Sequence, residues 1–504
     1  MEEIYRRLAE NGQSDHYPYH MPGHKRRALT EVLKRIGDID ITEIDGFDNL
    51  HHAEGILKQA QDRAARVFGA GESYYLVGGS TAGILSAVAA TVSAGGKLLM
   101  ARASHKSVYH SVYLGGLRNA YLDADVHPEM DFPLAVTPEQ VREAMAQHPD
   151  AGAVLIVSPT YEGRCADVAA IAQVVHERGI PLIVDGAHGA HLGFHPAWPQ
   201  SPVRCGADLV IQSLHKTLPA PTQAAILHVN GELVDRGRLR RYLQIYQTSS
   251  PSYVLMAGME EAIAYMEKKG PEVMNYFWKQ WETMLKKLQS CTCLRISPGL
   301  GEQGADIGKL TVSASDAGVN GQELYDILLE KYHLQPEMAG GTYVLFMFTV
   351  ADTEEGYDRL TRALLEVDAG LKERSAGGAV GKPADLALDE AAGGESLENT
   401  RSLRQQVRPV KQLEIREAWD APRELVPLEK CGGRIAGEFI HLYPPGIPVA
   451  APGEILSKEI LEKISGYIQE RLPVQGIVNR EGRQCIAVVK ESIDGVDLTE
   501  RRLF

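Results

Sequence analysis

The stretch 211-IQSLHKTLPA-220 places a lysine directly after a histidine, just past an apolar run, with a serine two residues before the histidine. Lysine usually stays in water, so an amine at the mouth of a buried strand has two readings. One is a solvated loop; the other is a lysine that forms a Schiff base with an aldehyde cofactor. The flanking chain bears on the choice. From about residue 56 to 230, short apolar runs alternate with helical patterns. Residues 56–68 carry Ile56, Leu57, Ala60, Ala64, Val67 and Phe68 at helical spacing, and Gly69 can end that helix. Strands are expected at 74–77, 97–101, 153–158, 181–185, 208–213 and 224–229, with helices near 81–94 and 166–178. Several of these strands are apolar throughout, as strands buried on both faces are. The pattern is α/β with a mainly parallel sheet.

Composition narrows the function. The 504 residues can bury more than one core. A formal net charge of −14 argues against nonspecific nucleic-acid binding, which needs basic surface. Six scattered cysteines make no disulfide framework, and Cys291 with Cys293 forms a CxC without a histidine cluster, so no metal site is expected. The opening MEEIYRRLAENG has no apolar signal core, and no apolar run approaches the length of a membrane span. A cytoplasmic protein without a membrane partner is expected. The chain divides into an N-terminal arm (1–55), a large domain (56–265), a smaller α+β unit (266–370), a Gly- and Ala-rich linker or insertion (371–411) and a C-terminal unit (412–504).

Parallel sheets deliver functional groups at the C-terminal ends of their strands. Three candidates stand at such ends. In YLVGGSTAG, the glycines, hydroxyls and free N–H groups at Gly79, Ser80 and Thr81 suit a phosphate, although such a turn is often only a helix cap. In PLIVDGAHGAH, Asp185 ends an apolar strand, where a carboxylate needs a cationic or donating partner. Lys216 follows 31 residues later. Together they match the needs of pyridoxal 5′-phosphate: a phosphate cradle, an anion for the pyridine nitrogen and an amine for the aldehyde. Their order and spacing resemble the aspartate-aminotransferase-like fold, fold type I, which reads Lys216 as the Schiff-base lysine. Ser213 and His215 would add phosphate contacts, unless they are local caps. His105, after a strand in SHKS, suits the ring-stacking position of that fold. His188, three residues after Asp185, is placed to touch either Asp185 or the substrate carboxylate.

Further motifs narrow the resemblance. YHMPGHKRR (19–27), DITEIDGFDNLHHAEGIL (40–57), SHKSVYH, PTYEGRCADV, VDGAHGAH, SLHKTLPAPTQAAILH, QTSSPSYVLMA and LYPPGIPVAAPGE occur in the order seen in the Orn/Lys/Arg decarboxylase family. The chain resembles its shorter members, which lack an N-terminal receiver-like wing domain, over nearly its whole length except about 371–411. Gly186 departs from the pattern, since many relatives carry an acid there.

The resemblance implies α-decarboxylation of a basic amino acid, arginine before lysine and ornithine. Asp185 would keep the cofactor ring protonated, His105 would stack on it, and Lys216 or a neighbouring histidine would return a proton to Cα. It also implies a homodimer, with Thr248, Ser249 or Ser250 of QTSSPSY reaching the partner's cofactor phosphate. The substrate's cationic end needs a carboxylate, and Glu43, Asp45, Asp48, Glu438 and Glu454 are the candidates. Fold alone leaves other readings open: an aminotransferase or aldolase, or a noncatalytic cofactor-binding regulator.

Overall fold

A computed structural model describes residues 47–376, 408–443, 446–493 and 496–497, with scattered positions between 15 and 43. Its centre is a seven-stranded sheet made by β1 (Glu72–Leu76), β2 (Lys97–Ala101), β3 (Arg118–Leu122), β4 (Ala151–Val157), β5 (Leu182–Asp185), β6 (Leu209–Gln212) and β7 (Ala225–Val229). The spatial order is β1-β7-β6-β5-β4-β2-β3, and only β7 runs antiparallel to its neighbours.

The continuous apolar runs have a direct explanation. Leu99, Val154, Val184 and Val210 point into one hydrophobic cluster, and their neighbours Leu98, Leu155, Ile183 and Leu209 point into another. Successive side chains alternate across a strand, so a sheet covered by helices on both faces needs apolar residues at every position. Each such side chain contributes about 1.5–3 kcal/mol on burial. The helices Ile56–Phe68 and Gly79–Thr91 are among those that cover it, and the first ends on Gly69 at φ +81°.

The expected strands and helices correspond to observed elements, with shifts of a residue or two at most ends. Strand β3 was not expected. Its sequence RNAYL is polar and lies at the sheet edge, so it carries no apolar signature.

The domain boundaries need correction. A 36-residue helix, Tyr253–Leu288, runs straight through the expected division at 265/266 despite Pro271. Helix Glu354–Ala376 likewise continues past residue 371. The remainder of the proposed linker up to residue 407 lies outside the described residues. The smaller unit is built on an antiparallel sheet in the order Met338–Ala339, Val344–Met347, Lys309–Ser313 and Arg295–Ser297. Part of the N-terminal arm belongs to it: Tyr17–Pro18 pairs in parallel with Leu334–Gln335, and Tyr19 is fully buried.

The C-terminal unit holds two three-stranded sheets and the helix Lys458–Gln469. It closes against the large domain through Trp419 and Phe439, which pack on His110, and through a Lys411 ammonium donating to the Asn119 carbonyl at 2.6 Å. This docking brings the loop at Gly446 to the C-terminal ends of the parallel strands: a Cβ at Gly446 would stand 3.8 Å from His105 Cδ2.

Candidate active site

The parallel pairing of β5 with β6 matches Asp185 to Ile211, so the carboxylate and the segment after β6 emerge side by side. Lys216 follows in the short helix Leu214–Thr217. Its Nζ lies 2.9 Å from His188 Nε2, in the turn that follows Asp185. Burial lowers the Lys216 pKa, against the opposing pull of Asp185 and Glu337. Burial raises the pKa of Asp185, while Lys216 and the Ala187 N–H, 3.2 Å from Oδ1, act the other way. A cationic partner therefore favours the carboxylate, as expected for an acid in this setting.

His188 does not use its ring on Asp185. Both nitrogens meet lysines: Nε2 faces Lys216, and Nδ1 lies 3.2 Å from Lys309 Nζ. Tyr161 packs against the ring at 4.6 Å between centroids and donates its hydroxyl to Glu337. Burial, then the two lysines, hold the His188 pKa well below its usual value. His105 caps the helix Lys106–Gly115, its Nδ1 accepting from the Ser107 N–H at 3.2 Å. Burial and then Lys216 push its pKa down to about 3, so the ring is neutral at physiological pH.

The residues suited to phosphate divide by position. Gly79 opens its helix at φ +70°, a conformation that favours glycine, and Ser80 and Thr81 occupy the first turn, where the backbone N–H groups lack helical acceptors. The hydroxyl of Ser213 is buried without a hydrogen-bond partner. That is costly in a finished structure and marks a donor suited to a bound oxyanion. Thr217 Oγ1, which the sequence did not single out, is in the same state. His215 turns Nδ1 toward the Ala224 carbonyl at 3.0 Å. The groups present therefore fit a phosphate-bearing aldehyde: unpartnered hydroxyls and a helix N-terminus for the phosphate, Lys216 for the aldehyde, and Asp185 for a ring nitrogen.

Thr248, Ser249 and Ser250 are exposed, and the Thr248 carbonyl is 2.8 Å from His51 Nε2. The candidate tail-binding acids scatter. Asp48 accepts backbone N–H groups of Asn49, Glu54, Gly55 and Leu57, which organises the approach to the first helix. Glu438 pairs with Arg423 at 2.9 Å, and Glu454 is buried against Arg102 at 3.0 Å. Asp45 lies outside the described residues, and Glu43 is half-buried. Sequence reading missed Lys309, Glu337 and Tyr161. Lys309 and Glu337 lie about a hundred residues or more beyond Asp185, and no local pattern links them to it.

Comparison with known proteins gives the family. The family model of the Orn/Lys/Arg decarboxylase major domain matches residues 3–298, and that of the C-terminal domain matches 400–476. The chain belongs to the Orn/Lys/Arg decarboxylase family. Arginine decarboxylase of Bacillus subtilis is 31% identical over 94% of this chain and 95% of its own length. The constitutive lysine decarboxylase of Escherichia coli is 24% identical over 85% of this chain and 69% of its own. Among solved structures, the lysine decarboxylase LdcF of Francisella novicida superposes with a TM-score of 0.75 at 19% identity, covering 93% of this chain and 75% of that one. That likeness shows the shared fold, type I. The two matched models leave 299–399 between them, which spans Lys309 and Glu337.

Proposed function

We propose that this chain is a pyridoxal 5′-phosphate-dependent decarboxylase of a basic amino acid, with arginine as the preferred substrate. The observation that carries the reading is the joint placement of Lys216 and Asp185 beyond two adjacent parallel strands, in a member of this family. Arginine is preferred because an arginine decarboxylase aligns over almost its whole length at 31%, against 24% for a lysine decarboxylase. Lysine is second and ornithine third.

When bound, pyridoxal phosphate supplies an electron sink for the bond between Cα and the carboxylate. The chain supplies everything else. Burial of Lys216 favours its neutral, nucleophilic amine. Asp185 holds a proton on the ring nitrogen, and the His105 ring keeps the cofactor plane in place. The first turn at Gly79, Ser80 and Thr81, with Ser213 and His215, binds the phosphate. Lys216 or His188 returns a proton to Cα.

The protein works as a cytoplasmic homodimer in this reading. Thr248 and Ser249, exposed on the single chain, reach the partner's phosphate. The six described cysteines are free thiols, as a reducing compartment favours. Among the described residues no helix is long and apolar enough to cross a membrane. Incubation with arginine, lysine and ornithine separately tests the function. Carbon dioxide with agmatine as the fastest product supports it; an oxo acid or an aldehyde indicates transamination or aldol cleavage instead.

A further inference from the structure

The imidazole of His188 stands between two lysines, with Nε2 2.9 Å from Lys216 Nζ and Nδ1 3.2 Å from Lys309 Nζ. A neutral imidazole has one donor nitrogen and one acceptor, and an ammonium only donates. Both contacts are hydrogen bonds only if one lysine is an ammonium and the other a neutral amine. Each lysine has a carboxylate of its own, Asp306 (bound to His191 at 2.7 Å) beside Lys309 and Asp185 beside Lys216, and Glu337 acts on both. Because Lys216 attacks an aldehyde only as the neutral amine, the charge of the pair falls to Lys309.

We propose that Lys309 is a positioning residue and proton reservoir for Lys216, acting through His188. The Lys309 ammonium donates to Nδ1, which leaves the ring proton on Nε2, directed at the neutral Lys216 amine. A proton then moves by two coupled transfers. A Lys309 N–H bond breaks as Nδ1–H forms, and Nε2–H breaks as a Lys216 N–H bond forms. One proton leaves Lys309, one arrives at Lys216, and the imidazole ends neutral in its other tautomer.

The reaction itself creates the need. Converting an amino acid to an amine and carbon dioxide consumes one proton per turnover, and the amine that delivers it is buried. Lys309 is 1% exposed and lies in the smaller unit, 121 positions from His188. The charged and titratable groups around it are Asp306, Glu337, Lys216, Lys25, His188 and the Cys165 thiol. Burial, opposed by Asp306 and Glu337, brings its pKa down to about 8, where a proton can be given up and regained near neutral pH.

This inference rests on the cofactor reading above, and the experiment separates the two. Lys309→Arg keeps a donor and a positive charge at Nδ1, but arginine does not release its proton. Lys309→Met removes both. Covalent capture of added pyridoxal phosphate by apo-protein is followed against pH by borohydride trapping; kcat, KM and the solvent deuterium isotope effect are measured on holoenzyme. The expected result for Lys309→Arg is capture and KM within twofold of wild type, with kcat down roughly tenfold or more and a larger isotope effect. In Lys309→Met the capture midpoint moves to higher pH, because a cation beside Lys216 is lost. Unchanged kcat and isotope effect in Lys309→Arg, or an unmoved midpoint in Lys309→Met, overturns the relay. Failure of wild type to capture the cofactor overturns the cofactor reading instead.

Discussion

Arg102 Nη2 lies 3.0 Å from Glu454 Oε2, and the Glu454 side chain is wholly shielded from solvent. Arg102 follows strand β2, while Glu454 belongs to the PGE motif of the C-terminal unit, so this pair fastens the unit to the catalytic domain. Its tail-binding role, open from sequence, is displaced by a structural one. Glu454→Ala is expected to cost about 3–5 kcal/mol of stability, the usual penalty for stranding one partner of a buried ion pair. Urea unfolding checks this; undiminished stability with a raised KM would return Glu454 to the substrate.

Asp185→Asn keeps the shape of the side chain and removes its charge. Cofactor capture through Lys216 and the phosphate contacts is expected to persist, while kcat falls roughly a thousandfold. That corresponds to about 4 kcal/mol, or about three units in the basicity of the ring nitrogen. Steady-state kinetics on cofactor-saturated protein provide the check.

Ser213→Ala separates a ligand contact from a structural one. The buried hydroxyl has no partner within the chain, so its loss should leave the stability of cofactor-free protein unchanged or slightly higher. Affinity for pyridoxal phosphate should fall roughly tenfold, the loss of one hydrogen bond to a charged group. Titration of apo-protein, followed by absorbance, measures it.

Glu162 gives a pH dependence. Burial pushes its pKa up to about 7, although Tyr343 donates to Oε1 at 2.8 Å. The folded state therefore holds this proton over a range in which the unfolded chain, near 4.5, has released it. Stability contributed by Glu162 is complete below about pH 4.5 and falls as pH rises to about 7, by about 3 kcal/mol in all. Glu162→Gln keeps the acceptor for Tyr343 and cannot ionise. Comparing unfolding free energies at pH 5 and pH 8 should show a smaller decline in the variant than in wild type.

The sequence exposes elements whose signal is local. β4, β5 and β6 are legible because burial on both faces forces an unbroken apolar run, whereas β3 at the sheet edge is not. Asp185 and Lys216 are legible as candidates because one ends such a run and the other follows the next one by four residues. His188 is visible as a candidate site residue, but its partner Lys309 is not: it opens what reads as an ordinary strand, GKLTVS, and meets His188 only when the smaller unit packs on the sheet. The same distance hid the partner of Glu454, which stands 352 positions away. Pro271 stands inside the helix Tyr253–Leu288, where proline is disfavoured. The helix continues through it, with Met266, Met274 and Phe277 on either side all packed into one core.

The central claim is that Lys216 carries the aldehyde cofactor of a basic-amino-acid decarboxylase. Borohydride reduction of the protein with pyridoxal phosphate, followed by digestion and mass spectrometry, tests it most directly. The account predicts one reduced pyridoxyl phosphate group on the peptide containing Lys216, and none in Lys216→Ala. A stoichiometric label on another lysine, or one that persists in Lys216→Ala, would contradict it.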